Sequence, residues 1–255
     1  MSSPSPTRES RARASGPDLV VRHLEGLILD GDLEPGDDLP SEAQIAEHLD
    51  INRLTVREGV RVLAARGLVD VQRGRRSTVA HPTAEPLRAF FGAAVRRDAH
   101  TLMELLELRL AIEVSAASLA AARATDHERA AIADALAQMR LHKHDGPAYN
   151  AADLRFHALI ATASGNRMFD LLMEGMEEPL RASRLESLRA HVATHGPEID
   201  DLIAEHEQIH DAIVARDPLG AAAAMRRHLS QTGEDLRVAT SLPGDPDAVR
   251  PGDLP

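Results

Sequence analysis

The chain has 255 residues, with 29 Lys and Arg against 40 Asp and Glu and a formal net charge of −11. The lack of cysteine excludes disulfide bonds and zinc–thiolate sites. No apolar run reaches the ~18 residues of a membrane span, and the Ser-, Pro- and Arg-rich start has no apolar signal core. We therefore expect a soluble, cytoplasmic protein without a membrane partner.

Composition also divides the chain into segments. One end is rich in Ser, Pro and Arg and the other in Pro, Gly and Asp, compositions that are typical of disorder. A change of pattern near residue 82 predicts two folded domains between these ends. The predicted divisions are a disordered tail over 1–16, a first domain over 17–81, a linker and first bundle helix over 82–99, a second domain over 100–238 and a disordered tail over 239–255.

The first domain begins with three predicted helices. Apolar residues at helical spacing predict an amphipathic helix over 18–30. Ser41 and Gln44 form a capping box that starts a second helix. A tight turn over 50–52 leads into a third helix, which Asn52 can cap.

Two short β-prone runs follow, at 68–71 and 77–79, and the turn between them contains Gly74. This order of helices, turn and hairpin is typical of a winged helix-turn-helix, which reads DNA. The charge distribution agrees, because residues 52–81 contain seven arginines against only Glu58 and Asp70. Local positive charge therefore outweighs the negative total in predicting a nucleic-acid partner.

Beyond the linker the pattern becomes entirely helical. The predicted helices cover 86–97, 101–123, 126–142, 147–163, 167–189, 197–215 and 217–238. The expected fold class is therefore mainly α, with an N-terminal winged helix-turn-helix that includes a small β-hairpin wing. The C-terminal part is expected to be an all-α helical bundle.

Inward-facing polar side chains distinguish the second domain. On the helix from Pro147, Asp153 and His157 lie on the apolar stripe, and His206 and His228 lie on the apolar stripes of two later helices. A single inward histidine is more often a hydrogen-bonded core residue than a ligand. Four such groups buried without partners would cost several kcal/mol, so they predict a site that one divalent cation would complete.

Imidazole and carboxylate ligands suit several metals. We expect one divalent transition metal per chain, zinc in the first place, with nickel, manganese or iron(II) as the alternatives. Four protein ligands would close a tetrahedral site, whereas a five- or six-coordinate metal would leave positions for water or a small anion.

Arg109 stands in the middle of the apolar stripe of the predicted helix 101–123, with Glu113 one turn further on. One interpretation is an internal ion pair that holds the bundle together. The other, which we favour, is a guanidinium fork for a carboxylate effector that also touches the metal. Asn166, in a Ser-Gly-Asn turn, is a further candidate for effector binding, although a turn role explains it equally well. The candidate effector-binding residues are Arg109, Glu113 and Asn166.

A competing motif overlaps one of the histidines. The run HEQIH at 206–210 matches HExxH, in which two histidines bind zinc and the glutamate activates water. No His-x-x-Gly-x-x-His extension follows, and this interpretation leaves Asp153 and His157 unexplained. We therefore expect that the protein is not an enzyme, and a zinc hydrolase stays only as the weaker alternative.

The motifs together resemble a known family. The runs LPSEAQIAEHLDINRLTVREGV at 39–60 and LAARGLVDVQRG at 63–74 resemble the DNA-binding domain of GntR-family transcription regulators. The helical part resembles the FCD effector domain of the FadR subfamily. Its matching runs are ELLELRLAIEVSAASLAA, DLRFHALIATASGN, EHEQIHDAI and AMRRHL.

The resemblance implies that the recognition helix and the wing contact operator DNA. Physical reasoning agrees, because residues near the start of a recognition helix reach base edges and Arg is bidentate to guanine. The predicted DNA-binding residues are Asn52, Arg53, Thr55, Arg57, Arg73, Gly74 and Arg75.

For the second domain, the resemblance implies a metal bound by the Asp and three His named above and an effector pocket lined by Arg109. The expected protein is a homodimeric repressor that reads an inverted repeat in double-stranded DNA. A small carboxylate bound at the metal would change its operator affinity. Activation instead of release, and a purely structural metal, stay open at this point.

Two residues depart from the family pattern. Many relatives carry an Arg where this chain has Ala43, and its loss should remove one base or phosphate contact. Asp50 replaces the more usual Gly of the turn, a position that Asp tolerates.

Overall fold

The computed structural model of the chain describes residues 15–72, 74–98, 100–196 and 198–241. They form two compact units that divide between Pro86 and Leu87. In the described ranges no helix is both long and apolar enough to cross a membrane.

The first unit has three helices followed by a two-stranded antiparallel sheet. Val69 pairs with Val79, and Asp70 pairs with Thr78. The elements are α1 (Gly16–Leu29), α2 (Glu42–Leu49), α3 (Arg53–Ala65), β1 (Val69–Asp70) and β2 (Thr78–Val79). The mainly helical fold with a small wing is as predicted, although both strands are shorter than the β-prone runs that predicted them.

Local sequence explains where these helices begin. Ser41 and Gln44 cap α2 reciprocally, with side-chain and backbone bonds in both directions, so the predicted capping box is confirmed. Asn52 caps α3 by accepting a hydrogen bond from the Thr55 N–H at 2.9 Å. Ser15 and Asp18 form a further capping box at the start of α1. Helix α1 therefore begins at Gly16, the last residue of the segment that was expected to be a tail.

The core of the first unit lies between its helices and the sheet. Its buried apolar side chains are Val20, Val21, Leu24, Leu39, Ile45, Val56, Val60, Leu63, Val69 and Val79. Helix α1 lies very close to α3: a Cβ atom added at Gly59 would lie only 2.5 Å from Cβ of Val20.

The turn between α2 and α3 passes through Asp50, which has a φ of 53°. Asp therefore adopts at this position the left-handed conformation that Gly usually provides, as predicted.

The second unit is built from helices alone. They are α4 (Glu85–Arg97, which begins just before the division), α5 (Thr101–Arg123), α6 (Asp126–Leu141), α7 (Gly146–Ala163), α8 (Arg167–His195), α9 (Asp200–Val214) and α10 (Pro218–Ser241). Two of them differ clearly from prediction. Helix α8 continues six residues beyond the expected end at 189, and α10 extends through Ser241 into the expected C-terminal tail.

Small residues bring the helices of this unit close together. Ala117, Ala120 and Ala121 on α5 and Ala221 on α10 are completely buried. An interior this tightly packed places polar side chains in a setting where each must have a partner. The remaining parts of the predicted tails, 1–14 and 242–255, lie outside the described residues.

Candidate metal centre and nucleic-acid interface

Four polar side chains meet in the interior of the second unit. Asp153 and His157 lie one turn apart on α7, His206 comes from α9 and His228 from α10. One potential ligand atom from each of them lies within 4.8 Å of all the others, and all four residues are buried. The structure thus brings together the four residues predicted to bind metal.

Each histidine is oriented by an acceptor behind it. Nδ1 of His157 contacts Oε2 of Glu113, Nδ1 of His206 lies 2.7 Å from the Leu202 carbonyl, and Nδ1 of His228 lies 2.9 Å from Oε2 of Glu205. Because these oxygens accept hydrogen bonds, we assign the ring proton to Nδ1 in all three cases. The Nε2 lone pairs are then available to a metal, as in carboxylate–histidine–metal arrangements.

The contact between His206 and Asp153 tests whether a cation fits. Nε2 of His206 lies 2.9 Å from Oδ1 of Asp153, and Nε2 of His157 lies 3.6 Å from the same oxygen. A lone-pair nitrogen and a carboxylate oxygen at this separation repel unless a positive centre lies against both. Three imidazoles and one carboxylate are a ligand set that divalent transition metals accept, so the residues fit the expected ion.

Electrostatics favour the ligating forms of these groups. Burial raises the pKa of Asp153, but the guanidinium of Arg184 and the contacts with His157 and His206 together outweigh burial and hold that pKa well below the usual value. Burial lowers the pKa of His157 and, together with the neighbouring histidines, that of His228. A charged carboxylate and neutral imidazoles are the forms that bind a metal.

Arg109 forms the internal ion pair that was one of its two predicted interpretations. Its Nε contacts Oε1 of Glu113, and both side chains are 1% exposed. Its Nη2 lies 3.4 Å from Nε2 of His157, but its Nη1 is buried without a hydrogen-bond partner. One donor of the fork therefore stays available, as the second interpretation requires.

Next to the four candidate ligands lies a small cavity of about 40 Å³. Leu188 and Leu202 line it together with polar side chains, which are Arg109, Tyr149, Asn150, Asp153, Arg184, Ser187, His206, His228 and Thr232. This volume is enough for roughly three water molecules. A small polar ligand can therefore touch both the arginine and the ligand set.

Two candidate effector residues lie elsewhere. Glu113 is not among the residues that line the cavity; it lies behind His157 and Arg109, where burial raises its pKa but Arg109 and His157 outweigh burial and lower it strongly. Asn166 caps α8 by accepting a hydrogen bond from the Met168 N–H at 3.1 Å and does not line the cavity either. Its turn role accounts for the contacts it makes.

Arg184 is a buried charged residue of this site that the sequence analysis missed. It lies on α8, is 6% exposed as a residue, and contacts Oδ2 of Asp153 through Nη1. A signal was present, since Leu180, Ser183 and Ser187 at helical spacing place it on a buried stripe. The same reasoning singled out Arg109.

The HExxH motif does not form a site. Glu207 accepts a hydrogen bond from Arg140 at 2.6 Å, and His210 contacts Asp211 at 3.1 Å. Neither belongs to the group of ligand atoms that surrounds His206. The glutamate that would activate water therefore faces away from the candidate metal centre.

The first unit presents the predicted DNA-binding residues on its surface. Arg53, Arg57, Gly74 and Arg75 are exposed, and Arg53 and Arg75 line one cleft between helix and wing. Nε of Arg57 lies 2.8 Å from Oε2 of Glu42, which orients the guanidinium.

Two further predicted DNA-binding residues contact each other. Both the N–H and the hydroxyl of Thr55 donate to Oδ1 of Asn52 in the α3 cap. Arg73 lies outside the described residues.

A winged helix-turn-helix followed by a helical unit with a buried ligand set defines a two-domain DNA-binding protein. Comparison with known families agrees with this class. The family description "Bacterial regulatory proteins, gntR family" matches residues 18–79, and "FCD domain" matches residues 104–231.

Individual relatives are similar over most of the chain. LutR of Bacillus subtilis is 31% identical over 210 residues, which cover 82% of this chain and 96% of LutR. The putative L-lactate dehydrogenase operon regulatory protein of Escherichia coli is 33% identical over 221 residues, or 84% of this chain and 83% of that protein. The solved structure of Streptococcus agalactiae GntR, 28% identical, aligns with a TM-score of 0.62 over 86% of this chain and 99% of its own.

The chain belongs to the GntR family of bacterial transcription regulators and carries an FCD domain. It is a DNA-binding transcription regulator and not an enzyme, since its relatives are regulators. The predicted family and fold class are confirmed.

Proposed function

We propose that the protein is a homodimeric, metal-containing repressor whose operator affinity is changed by a small carboxylate. The metal is one divalent transition ion per chain, with zinc as the first candidate. The protein works in the cytoplasm, where its operator DNA is. The supporting observation is the convergence of three imidazoles and one carboxylate next to a cavity that a buried, partly unpaired arginine lines.

Asp153, His157, His206 and His228 would hold the metal. When bound, the ion offers positive charge and coordination positions to an anionic oxygen. Glu113, Leu202 and Glu205 fix the three imidazoles through Nδ1. Because these contacts orient the imidazoles in advance, we expect little ordering on binding.

Arg109 would bind the carboxylate. Its Nε is held by Glu113, which leaves Nη1 as a buried donor. A carboxylate oxygen at this donor gains a charge-assisted hydrogen bond and removes the cost of an unpaired polar group. The relation of the E. coli relative to a lactate dehydrogenase operon supports a small carboxylate as the chemical class.

The reading of DNA would use the exposed arginines of α3 and the wing. Two copies related by a two-fold axis would place two recognition helices in major grooves about one helical turn apart, on an inverted repeat. Ligand binding would favour an arrangement of the dimer that matches this spacing poorly. A shift from about 1:99 to 99:1 requires about 5.5 kcal/mol of differential affinity.

An operator-release experiment tests the proposal. Metal-loaded full-length protein is bound to its operator fragment, and small carboxylates are added singly while DNA binding is followed by fluorescence anisotropy. We expect at least one carboxylate to release the DNA from metal-loaded protein but not from chelator-treated protein that has kept its helical circular dichroism. A carboxylate that tightens DNA binding would instead be a co-repressor, or would indicate that the protein is an activator. If no carboxylate acts and metal removal unfolds the helical unit, the metal is purely structural.

A further inference from the structure

Arg184 is a second buried arginine beside the candidate metal centre, and only 4% of its side chain is exposed. Its Nη1 pairs with Asp153, whereas its Nε and Nη2 are buried without a hydrogen-bond partner. Nη2 lies 3.7 Å from Oε1 of Glu113, which is too far for a hydrogen bond. Because a guanidinium cannot lose its charge in a protein, these nitrogens need an acceptor.

Arg184 and Arg109 line the same cavity of about 40 Å³. Nη1 of Arg109 is also without a hydrogen-bond partner, so each guanidinium has donors left over. The Nε and Nη2 donors of Arg184 form one fork, which by itself can give a carboxylate two parallel hydrogen bonds, and Nη1 of Arg109 is a further donor at the same cavity. The surplus points to a ligand with a second acidic group.

The charges around the cavity also favour an anion. Arg109, Arg184 and a divalent cation would bring four positive charges, against the three carboxylates of Glu113, Asp153 and Glu205. With neutral imidazoles as ligands, positive charge is therefore in excess. Uncompensated charge in a buried site is costly, so the site favours an anionic ligand.

We infer that the effector is a small dianion, a short dicarboxylate whose second acidic group is bound by Arg184. This inference rests on the proposed function, because it names the ligand class of that same site. A cavity with room for roughly three water molecules suits a ligand with a short skeleton of about two to four carbons. Arg184 thus determines specificity for the second charge, while Arg109 holds the first carboxylate.

Three matched probes separate charge from size. Propionate, lactate and malonate share a three-carbon chain; lactate adds an uncharged hydroxyl and malonate adds a second carboxylate. Their dissociation constants are measured by calorimetry on metal-loaded full-length protein. Tyr149 reports whether binding occurs in the cavity, because it lines the cavity and the chain contains one Tyr and no Trp.

Two variants and one control test the residue. Arg184→Gln removes the charge, and Arg184→Lys keeps it without the fork. Arg181→Gln is the matched control, because Arg181 lies on the same helix but has 47% of its side chain exposed and pairs with Glu177. Metal content and helical circular dichroism are checked for every variant before titration.

We expect wild-type protein to bind malonate at least about ten-fold more tightly than lactate or propionate, with a change in Tyr149 emission. Arg184→Gln should bring malonate to within about three-fold of lactate, Arg184→Lys should keep part of the preference, and Arg181→Gln should keep all of it. Equal binding of the three probes by the wild type, or no binding of malonate, would overturn the inference without requiring a folded variant.

A malonate preference that survives Arg184→Gln would also overturn it, because chelation by the metal alone behaves in that way. A different result would contradict the proposed function itself. If lactate or propionate binds and releases the operator without a malonate preference, the proposed function stands and the dianion inference falls. If carboxylates bind and none changes operator affinity, the proposed function falls instead.

Discussion

Oε2 of Glu205 accepts a hydrogen bond from Nδ1 of His228 at 2.9 Å, and this contact joins α9 to α10. The glutamate lies one residue before His206, so the same turn of α9 supplies both a candidate metal ligand and the group that orients another. Its side chain is 29% exposed, whereas that of His228 is 5% exposed. The carboxylate thus reaches the metal centre from its edge.

Glu205 is not a candidate metal ligand, but the loss of its carboxylate should still weaken metal binding. We expect Glu205→Ala to lower metal affinity about 10- to 100-fold, because the His228 ring loses the acceptor that fixes its tautomer and orientation. Competition with a chelator of known affinity measures the change. Glu207→Ala is the control, since Glu207 lies two residues further on α9 and pairs with Arg140. Equal affinities of the two variants would show that the contact does not support the metal.

Arg57 should contribute to operator specificity more than to stability. Arg57→Ala is expected to weaken specific binding by about 1–3 kcal/mol, the usual cost of a lost base contact. Its ion pair with Glu42 is exposed, at 59% and 41% of the two side chains, so unfolding should change by less than about 1 kcal/mol. Anisotropy with operator and scrambled DNA measures the effect.

The control for Arg57 is Arg140→Ala, which breaks an ion pair of similar exposure in the other unit, at 50% and 40%. It should leave operator affinity unchanged. A lower melting temperature for Arg57→Ala with unchanged DNA binding would instead make Arg57 a structural residue.

Ala43 offers a gain-of-contact test. It is exposed at the start of α2 and lines the same cleft as Arg53 and Arg75. Ala43→Arg should tighten DNA binding and steepen the dependence of log K on log salt by about 0.9, the value for one further phosphate contact. Ala65→Arg adds the same charge at the far end of α3 and should change the slope less. Identical slopes for both variants would mean that the cleft gives no phosphate contact.

Asp50 tests the strain in the turn before α3. Its φ of 53° lies in the left-handed region, which glycine adopts without strain. We expect Asp50→Gly to stabilise the first unit by up to about 1 kcal/mol. Asp30 is the control, because it also ends a helix but has a φ of −82°, so Asp30→Gly should destabilise by about 0.5–1 kcal/mol. Calorimetry of the full chain measures both, and a lower melting temperature for Asp50→Gly would contradict the assignment.

Much of the architecture follows from local sequence. Ser41 with Gln44, and Asn52, mark helix starts through cap hydrogen bonds that span only three residues, so the helix-turn-helix could be predicted closely. The inward positions of Asp153 and His157 follow from helical periodicity alone. These features depend on residues within one helix or at its end.

Features that depend on contacts between helices could not be predicted in the same way. The pairing of Arg184 with Asp153 joins α8 to α7 across 31 positions of the sequence, and nothing local to either residue indicates it. Glu113 was expected at the ligand, but the packing of α5 against α7 places it behind His157. The end of α8 is a different kind of miss. Residues 190–195 contain no Gly or Pro to end the helix before Gly196, and the predicted end at 189 overlooked this local signal.

Elemental analysis of the purified full chain tests the central claim most directly. We expect about one divalent metal per chain in the wild type, and none in the double variant His157→Ala/His228→Ala, because half of the ligand set is then missing. The double variant His142→Ala/His210→Ala, which changes two histidines outside the ligand set, should keep the wild-type content. Equal metal content in all three proteins, with the helical fold retained, would contradict the account.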